Sequence, residues 1–421
     1  MAASSYASSL SALASSVEVL LQCPTELDAL ALVAERLEEL AVANEAIEAY
    51  RSLGKAALVD GRPALGIAAA KALGKLGASA FAEESVAALA KTYASAATSP
   101  ADRIPPGLRP PAPPKSVKRQ DAGGAATDTR AVVAQASKAI AQVAARADAA
   151  VAGGATAKVP LVPLLGETDV PGFVKLAGKM QLVRLHAGEV VCEVGDAAEK
   201  LYLVARGTLR VDRNGQELGK LRPEAFFGEI ALLLAGIRRT ARVSCIDDVW
   251  LLEVSRAALE EAATQSPGIA GTLARFARNR LLANTLRTSD VFKRLPATSR
   301  EQLVRTFVPK MFEANATIVC QGEIAGCLHV LVSGDVEVRK DGKRVAALTT
   351  GDVFGEMSLL GRRPATADVK TLTPVVTLSL DRDAFSSVAV EHPALLAEVY
   401  RISNERMEEE HVVTDEDIVV V

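Results

Sequence analysis

The sequence predicts a multidomain α+β protein, with N-terminal helical hairpins followed by two antiparallel, jelly-roll-like β-rolls that carry flanking helices. Three observations carry this. Residues 1–98 are rich in alanine and leucine, and their apolar residues recur at helical spacing. From Gly188 onward the composition turns to short β-branched runs separated by glycines, the pattern of strands joined by tight turns. That second region also repeats: Gly195 and Gly322, Gly207 and Gly334, Val211 and Val338, Gly215 and Gly342, Leu221 and Leu348, and Gly228 and Gly355 each stand 127 residues apart. Six matches in one register make the two segments copies of one unit.

The helical hairpin domain, 1–98, opens with Leu27, Leu30, Val33, Leu37 and Leu40 on one face, and Thr25 with Asp28 reads as a capping box at its start. Ile47, Tyr50, Leu53 and Leu58 belong to the next helix. Gly61 stops it, Pro63 suits the first turn of another, and Gly77 punctuates before Phe81–Ala97. Short connections imply antiparallel neighbours, and this domain is expected to contact a protein partner or a second copy of the chain. Residues 99–129 hold Pro105, Pro106, Pro110, Pro111, Pro113 and Pro114 with Gly123 and Gly124, the composition of a linker. In 130–152, Val133, Ala136, Ile140, Val143 and Ala147 step by three and four, the seam of a coiled-coil-like or docking helix. The two β-rolls occupy 166–287 and 288–408. Each ends in helices, Arg256–Ala263 and Pro267–Leu286 in the first and Arg382–Val390 and Pro393–Met407 in the second, and 409–421 is an acidic tail.

Charge and composition exclude several functions. With 48 Lys+Arg against 51 Asp+Glu the net charge is −3, so the basic footprint of a nucleic-acid binder is missing. No apolar stretch is long enough to insert in a membrane and no basic n-region opens the chain, so a cytoplasmic protein is expected. The five cysteines are odd in number and unclustered, and the four histidines are isolated, which supports neither a disulfide framework nor a metal site nor an acid–base pair. No nucleophile or paired carboxylate stands out, and the expectation is that the chain is not an enzyme.

The densest part of the repeat is Phe227-Gly228-Glu229-Ile230-Ala231-Leu232-Leu233, ending in Arg239-Thr240-Ala241-Arg242-Val243, with the counterpart Phe354-Gly355-Glu356-Met357-Ser358-Leu359-Leu360 ending in Val369. Upstream stand Ala187-Gly188-Glu189-Val190, Glu193-Val194-Gly195-Asp196 and Gly207-Thr208-Leu209-Arg210-Val211. Together these resemble the phosphate-binding cassette and the turns of tandem cyclic-nucleotide-binding, Crp-like β-roll domains, over roughly residues 168 to 408. The chemistry is coherent, since a glycine lets the backbone approach a ligand and a helix opening at Glu229 aims free amides at an anion. The resemblance implies a ligand site of Phe227, Gly228, Glu229, Ile230, Ala231, Arg239, Thr240 and Ala241. Within it Glu229 takes the ribose hydroxyl, Arg239 pairs with the cyclic phosphate, and Thr240 reaches the phosphate or the purine edge. The implied ligand is cyclic AMP or cyclic GMP, with no metal and no other cofactor. Arg242, by strand parity, projects outward.

In the second copy Gly355 and Glu356 are kept, but Ala365, followed by Thr366, stands where the arginine belongs, and the upstream turn Glu313-Ala314-Asn315 lacks its glycine. That site is expected to be degenerate. Too few residues follow Met407 for a DNA-reading helix-turn-helix, and no kinase glycine loop occurs. The layout resembles the regulatory subunit of cyclic-AMP-dependent protein kinase, implying a non-enzymatic regulatory or adaptor protein that responds to a cyclic mononucleotide in the first β-roll. The alternative is a structural scaffold in which both rolls bind no nucleotide.

Overall fold

The computed structural model describes residues 2–96, 128–153, 162–213, 215–230, 238–289, 292, 306–361 and 363–416. Five antiparallel helices come first: α1 Ala2–Gln22, α2 Leu27–Glu39, α3 Ala43–Val59, α4 Pro63–Lys75 and α5 Ser79–Ala96. Leu27, Leu30, Val33 and Leu37 of α2 are buried as their spacing requires, and Pro63 takes the first helical position of α4. The capping box is a correction. Helix α2 starts after Glu26 with no side-chain cap, because the Thr25 hydroxyl is engaged with the Cys23 thiol at 3.2 Å. Helix α6, Thr129–Ala152, is capped by Asp128 and lays Ala136, Ile140, Val143 and Ala147 onto α1 and α3. Arg146–Asp60 and Lys55–Asp148 ion pairs of 2.7 and 2.8 Å fasten its exposed edge. The proline-rich segment lies outside the described residues as far as 127.

A short α7 (Pro163–Gly166) and α8 (Val170–Lys179) lead into the first roll. Its strands are β1 Gln181–Leu185, β2 Val190–Cys192, β3 Lys200–Arg206, β4 Leu209–Arg213, β5 Gln216–Leu221, β6 Phe226–Phe227, β7 Arg242–Cys245 and β8 Val249–Ser255, followed by α9 Arg256–Gln265 and α10 Gly268–Thr288. The second roll repeats the plan with β9 Val308–Phe312, β10 Thr317–Val319, β11 Cys327–Ser333, β12 Val336–Lys340, β13 Lys343–Leu348, β14 Val353–Phe354, α11 Glu356–Gly361, β15 Asp368–Thr371, β16 Val375–Asp381, α12 Arg382–Glu391 and α13 Pro393–Glu416. Helix α13 thus carries on past Glu408 through Glu409 and Glu410 of the expected tail.

Each roll is two four-stranded antiparallel sheets, β1-β8-β3-β6 over β2-β7-β4-β5 in the first and β9-β16-β11-β14 over β10-β15-β12-β13 in the second. Strand alternation sends Val204, Leu209, Val243 and Leu251 between the first pair of sheets, and Leu331, Val336, Val369 and Val375 between the second. The repeated glycine before β4 and β12 shows why the repeat is strict. Gly207 and Gly334 have φ of +85° and +94°, and a Cβ there would lie 2.5 and 2.4 Å from the carbonyl oxygens of Asp248 and Pro374. Asn315, at φ +63°, holds the turn that lost its glycine, since asparagine tolerates the left-handed region.

The outer face of the β1-β8-β3-β6 sheet is covered by the helices. Leu182, Leu203, Trp250 and Leu252 fall in one continuous core with Leu30, Leu37, Tyr50 and Leu73. A polar fastening crosses the same seam, where Arg184 donates to Glu38 at 2.9 Å and to the Tyr50 hydroxyl at 2.7 Å. The outer face of the second roll packs instead on α10, with Ala277 and Leu281 in a core that also holds Leu328, Val330 and Leu378. No helix among the described residues is long and apolar enough to cross a membrane.

Candidate functional site

The first roll encloses a cavity of about 300 Å³ between β5, the segment 227–230 and the stretch from Arg239 that leads into β7. Its geometry begins at Gly228, with φ +95°. A Cβ there would sit 2.5 Å from Arg239 Nη1 and 2.8 Å from the Lys200 carbonyl, so only glycine lets the chain pass the guanidinium. Glu229 follows, its side chain almost sealed at 1% exposure. Arg239 is placed by its own backbone, whose N–H donates to Asp196 and whose carbonyl accepts from Gly195, both at 2.9 Å. Its side chain lies over the Tyr202 ring at 5.5 Å, and Tyr202 in turn stacks on Phe227. Nη2 donates to the Lys200 carbonyl at 2.8 Å, while Nε and Nη1 are buried without a hydrogen-bond partner.

Of the other expected residues, Phe227, Gly228, Ile230, Thr240 and Ala241 line the same cavity, together with Cys192, whose thiol burial pushes up and keeps neutral. Ile230 has a second role, because it also enters the core shared with the second roll. Ala231 lies outside the described residues. Arg242 projects away from the cavity to Glu193 at 3.0 Å and Asp212 at 3.9 Å.

Sequence reasoning missed Arg280. It reaches from α10 into the cavity, donates from Nη1 to both oxygens of Glu229 at 3.0 and 3.1 Å and to the Phe226 carbonyl, and lies over the Phe226 ring at 4.8 Å. The available signal was an arginine four residues after Phe276, on the helix face that carries Leu273, Ala277 and Leu281.

The second roll reproduces the frame without an arginine at the cassette position. Gly355 has φ +83° and Glu356 is 2% exposed at the start of α11. Ala365 accepts from Gly322 at 2.9 Å and donates to Glu323 at 2.7 Å, the same two backbone bonds that place Arg239. Alanine therefore occupies the arginine's own position, and Thr366 beside it contacts the Met357 sulfur at 3.9 Å. In the place of Tyr202 stands His329, stacked on Phe354 at 4.9 Å, with Nδ1 2.9 Å from Ser379 Oγ and 3.2 Å from Thr377 Oγ1. Burial, with Lys310 nearby, pushes its pKa down to about 4.

The family model of the cyclic nucleotide-binding domain matches residues 182–266 and 309–392, one segment in each roll. The chain carries two cyclic nucleotide-binding domains. The cGMP-dependent protein kinase egl-4 of Caenorhabditis briggsae is 30% identical over 223 residues, which are 51% of this chain and 29% of that protein. A cAMP-dependent protein kinase regulatory subunit of Debaryomyces hansenii is 27% identical over 206 residues, 47% of this chain and 43% of that one. The chain thus spans less than half the length of these curated relatives. Among solved structures, the regulatory domain of Toxoplasma gondii PKA with cAMP is 23% identical and covers 58% of this chain and 92% of that chain, with a TM-score of 0.29. In each of the two cyclic nucleotide-binding domains the matched segment contains the cassette glycine and glutamate, and only in the first does it contain the cassette arginine.

Proposed function

We propose that the chain is a regulatory or adaptor protein, without catalytic activity of its own, that responds to a cyclic mononucleotide bound in its first β-roll. The observation that carries this reading is Arg239, buried against the cavity with Nε and Nη1 unpartnered. A buried guanidinium with two vacant donors is costly, and a cyclic phosphate presents two oxygens that match it in fork geometry. A cavity of about 300 Å³ is at the small end for a bound organic ligand and suits a mononucleotide. The ribose hydroxyl donates to Glu229 and competes there with Arg280 for the same two oxygens.

That competition supplies the response. Helix α10 holds Arg280 on the cavity side and Ala277 and Leu281 in the core of the second roll, so a ligand that alters the hold of Arg280 on Glu229 biases how the second roll packs. The matched relatives are a cGMP-dependent kinase and a regulatory subunit of a cAMP-dependent kinase, which supports a nucleotide-responsive role. The helical domain faces a protein partner or a second copy, and neither nucleic acid nor membrane is involved. In the second roll Ala365 leaves a phosphate without its counter-charge, so one nucleotide binds per chain.

Calorimetry of the full chain with cyclic AMP and cyclic GMP tests this. The expected result is one site per chain for at least one of the two. A folded chain that binds neither below millimolar concentration rejects the sensor and leaves the scaffold.

A further inference from the structure

The turn between β5 and β6 carries a residue that its copy in the second roll does not need. There the position is Gly351, at φ +102°, whose N–H donates to the Leu331 carbonyl at 2.7 Å. In the first roll it is Glu224, at φ +69°, whose N–H donates to the matching Val204 carbonyl at 2.8 Å. The turn is the same and asks for a left-handed residue, a conformation that strains a side chain with a Cβ.

What offsets that strain lies on another element. Glu224 Oε2 accepts from the Ala64 amide at 3.0 Å, with the Leu65 amide as a second donor. These are the first free amides of α4, since Pro63 has none and Arg62, the residue at its N-cap, makes no side-chain cap. The stem of Glu224 keeps some exposure, but Oε1 is sealed from solvent without a partner. Burial pushes the pKa up to about 8 against the pull of Arg62. Arg62 closes the joint by donating to Asp28 at 2.9 Å and to the Ala205 carbonyl at 3.1 Å. The helical bundle is thereby tied to one four-residue turn, Arg222–Ala225. On one side of that turn is the β5 wall of the cavity, Leu218–Leu221; on the other are Phe226, Phe227, Gly228 and Glu229.

We propose that Glu224 is a positioning residue for the nucleotide pocket: by capping α4 from the turn that joins two cavity walls, it couples docking of the helical bundle to ligand affinity in the first roll. This rests on the nucleotide-binding reading given above. The docked bundle holds both walls in their binding arrangement, and by linkage a bound nucleotide holds the N-terminus of α4.

Glu224→Gly installs the residue that the second roll uses, so the turn itself survives. In the full chain, hydrogen exchange at Ala64 and Leu65 is expected to quicken at least about tenfold without ligand, and nucleotide affinity to fall about fivefold, the low end of ordinary coupling. Glu224→Gln, which keeps an acceptor oxygen, restores most of both. Arg239→Ala weakens binding while leaving the exchange of α4 unchanged. Unaltered exchange at Ala64 and Leu65 in Glu224→Gly, or faster exchange there with unaltered affinity, overturns the proposal. If the wild-type chain binds no nucleotide, the functional reading fails separately, and exchange at Phe226–Ile230 decides the coupling: faster in Glu224→Gly supports it, unchanged overturns it.

Discussion

The two β-rolls share one topology, one set of left-handed turns and one buried cassette glutamate, and three of the places where they differ bear on what each does. Arg239 faces Ala365, Tyr202 faces His329, and Glu224 faces Gly351. The shared features are those that close a roll, such as Gly207 and Gly334, where a side chain would strike a backbone carbonyl. In the first roll the differing ones serve the cavity or another part of the chain: Arg239 lines the cavity over the Tyr202 ring, and Glu224 reaches helix α4. A repeated fold therefore constrains its turns far more than its chemistry, and the function of each copy is read from the positions where the copies part.

The largest expected effect separates the rolls by acid. His329 is buried and its pKa falls to about 4, below the ordinary value of 6.5. The unfolded chain therefore takes up a proton that the folded chain refuses, and stability present above pH 6.5 is lost as the pH falls toward 4. The loss is on the order of 3 kcal/mol. In His329→Phe, Thr377 and Ser379 keep each other at 3.1 Å and this part of the acid sensitivity should vanish. Thermal unfolding between pH 4 and 7 checks it, and an unchanged slope in the variant would assign the loss to other groups.

Next comes the arginine that only the first roll has. Arg239→Ala should weaken nucleotide binding about ten- to a hundredfold, the equivalent of roughly 1.5–3 kcal/mol for a charge-assisted contact. Affinity that survives the change means the phosphate lies elsewhere. The reciprocal change, Ala365→Arg, places a guanidinium at the end of the same two backbone bonds. It should raise the stoichiometry from one site to two, the second weaker because the His329 and Phe354 pair replaces the Tyr202 shelf. Stoichiometry fixed at one in a folded variant would show that the second roll lacks more than its cation.

The smallest effect is expected at Arg242. Its partners Glu193 and Asp212 lie at 3.0 and 3.9 Å, with the side chains of Arg242 and Glu193 40% and 55% exposed. Exposed pairs of this kind contribute about 0–1 kcal/mol, so Arg242→Ala should leave affinity within about twofold. A loss comparable to that of Arg239→Ala would mean that the strand presents both arginines to the ligand.

Much of this was legible in the residues alone. The 127-residue repeat marks both rolls, strand parity turns Arg242 outward, and counting back from Val369 puts Ala365 opposite Arg239. Helix starts were less legible. Thr25 and Asp28 have the spacing of a cap, yet Cys23 takes the threonine hydroxyl, because a local motif states what a side chain is able to bond and not what else lies near it.

By itself, then, the sequence determined where strands alternate, where turns need glycine, and which copy carries an arginine at the cassette position. These are properties of neighbours along the chain, and each leaves a period or a motif. Only the tertiary structure decided that Arg280 holds Glu229 across 51 residues, that Glu224 caps α4 across 160, and that the helical bundle and the first roll share one core. Such pairings depend on which surfaces of finished elements meet. No short-range periodicity records that, since a single arginine or glutamate in sequence looks alike whether it ends in water or against another helix.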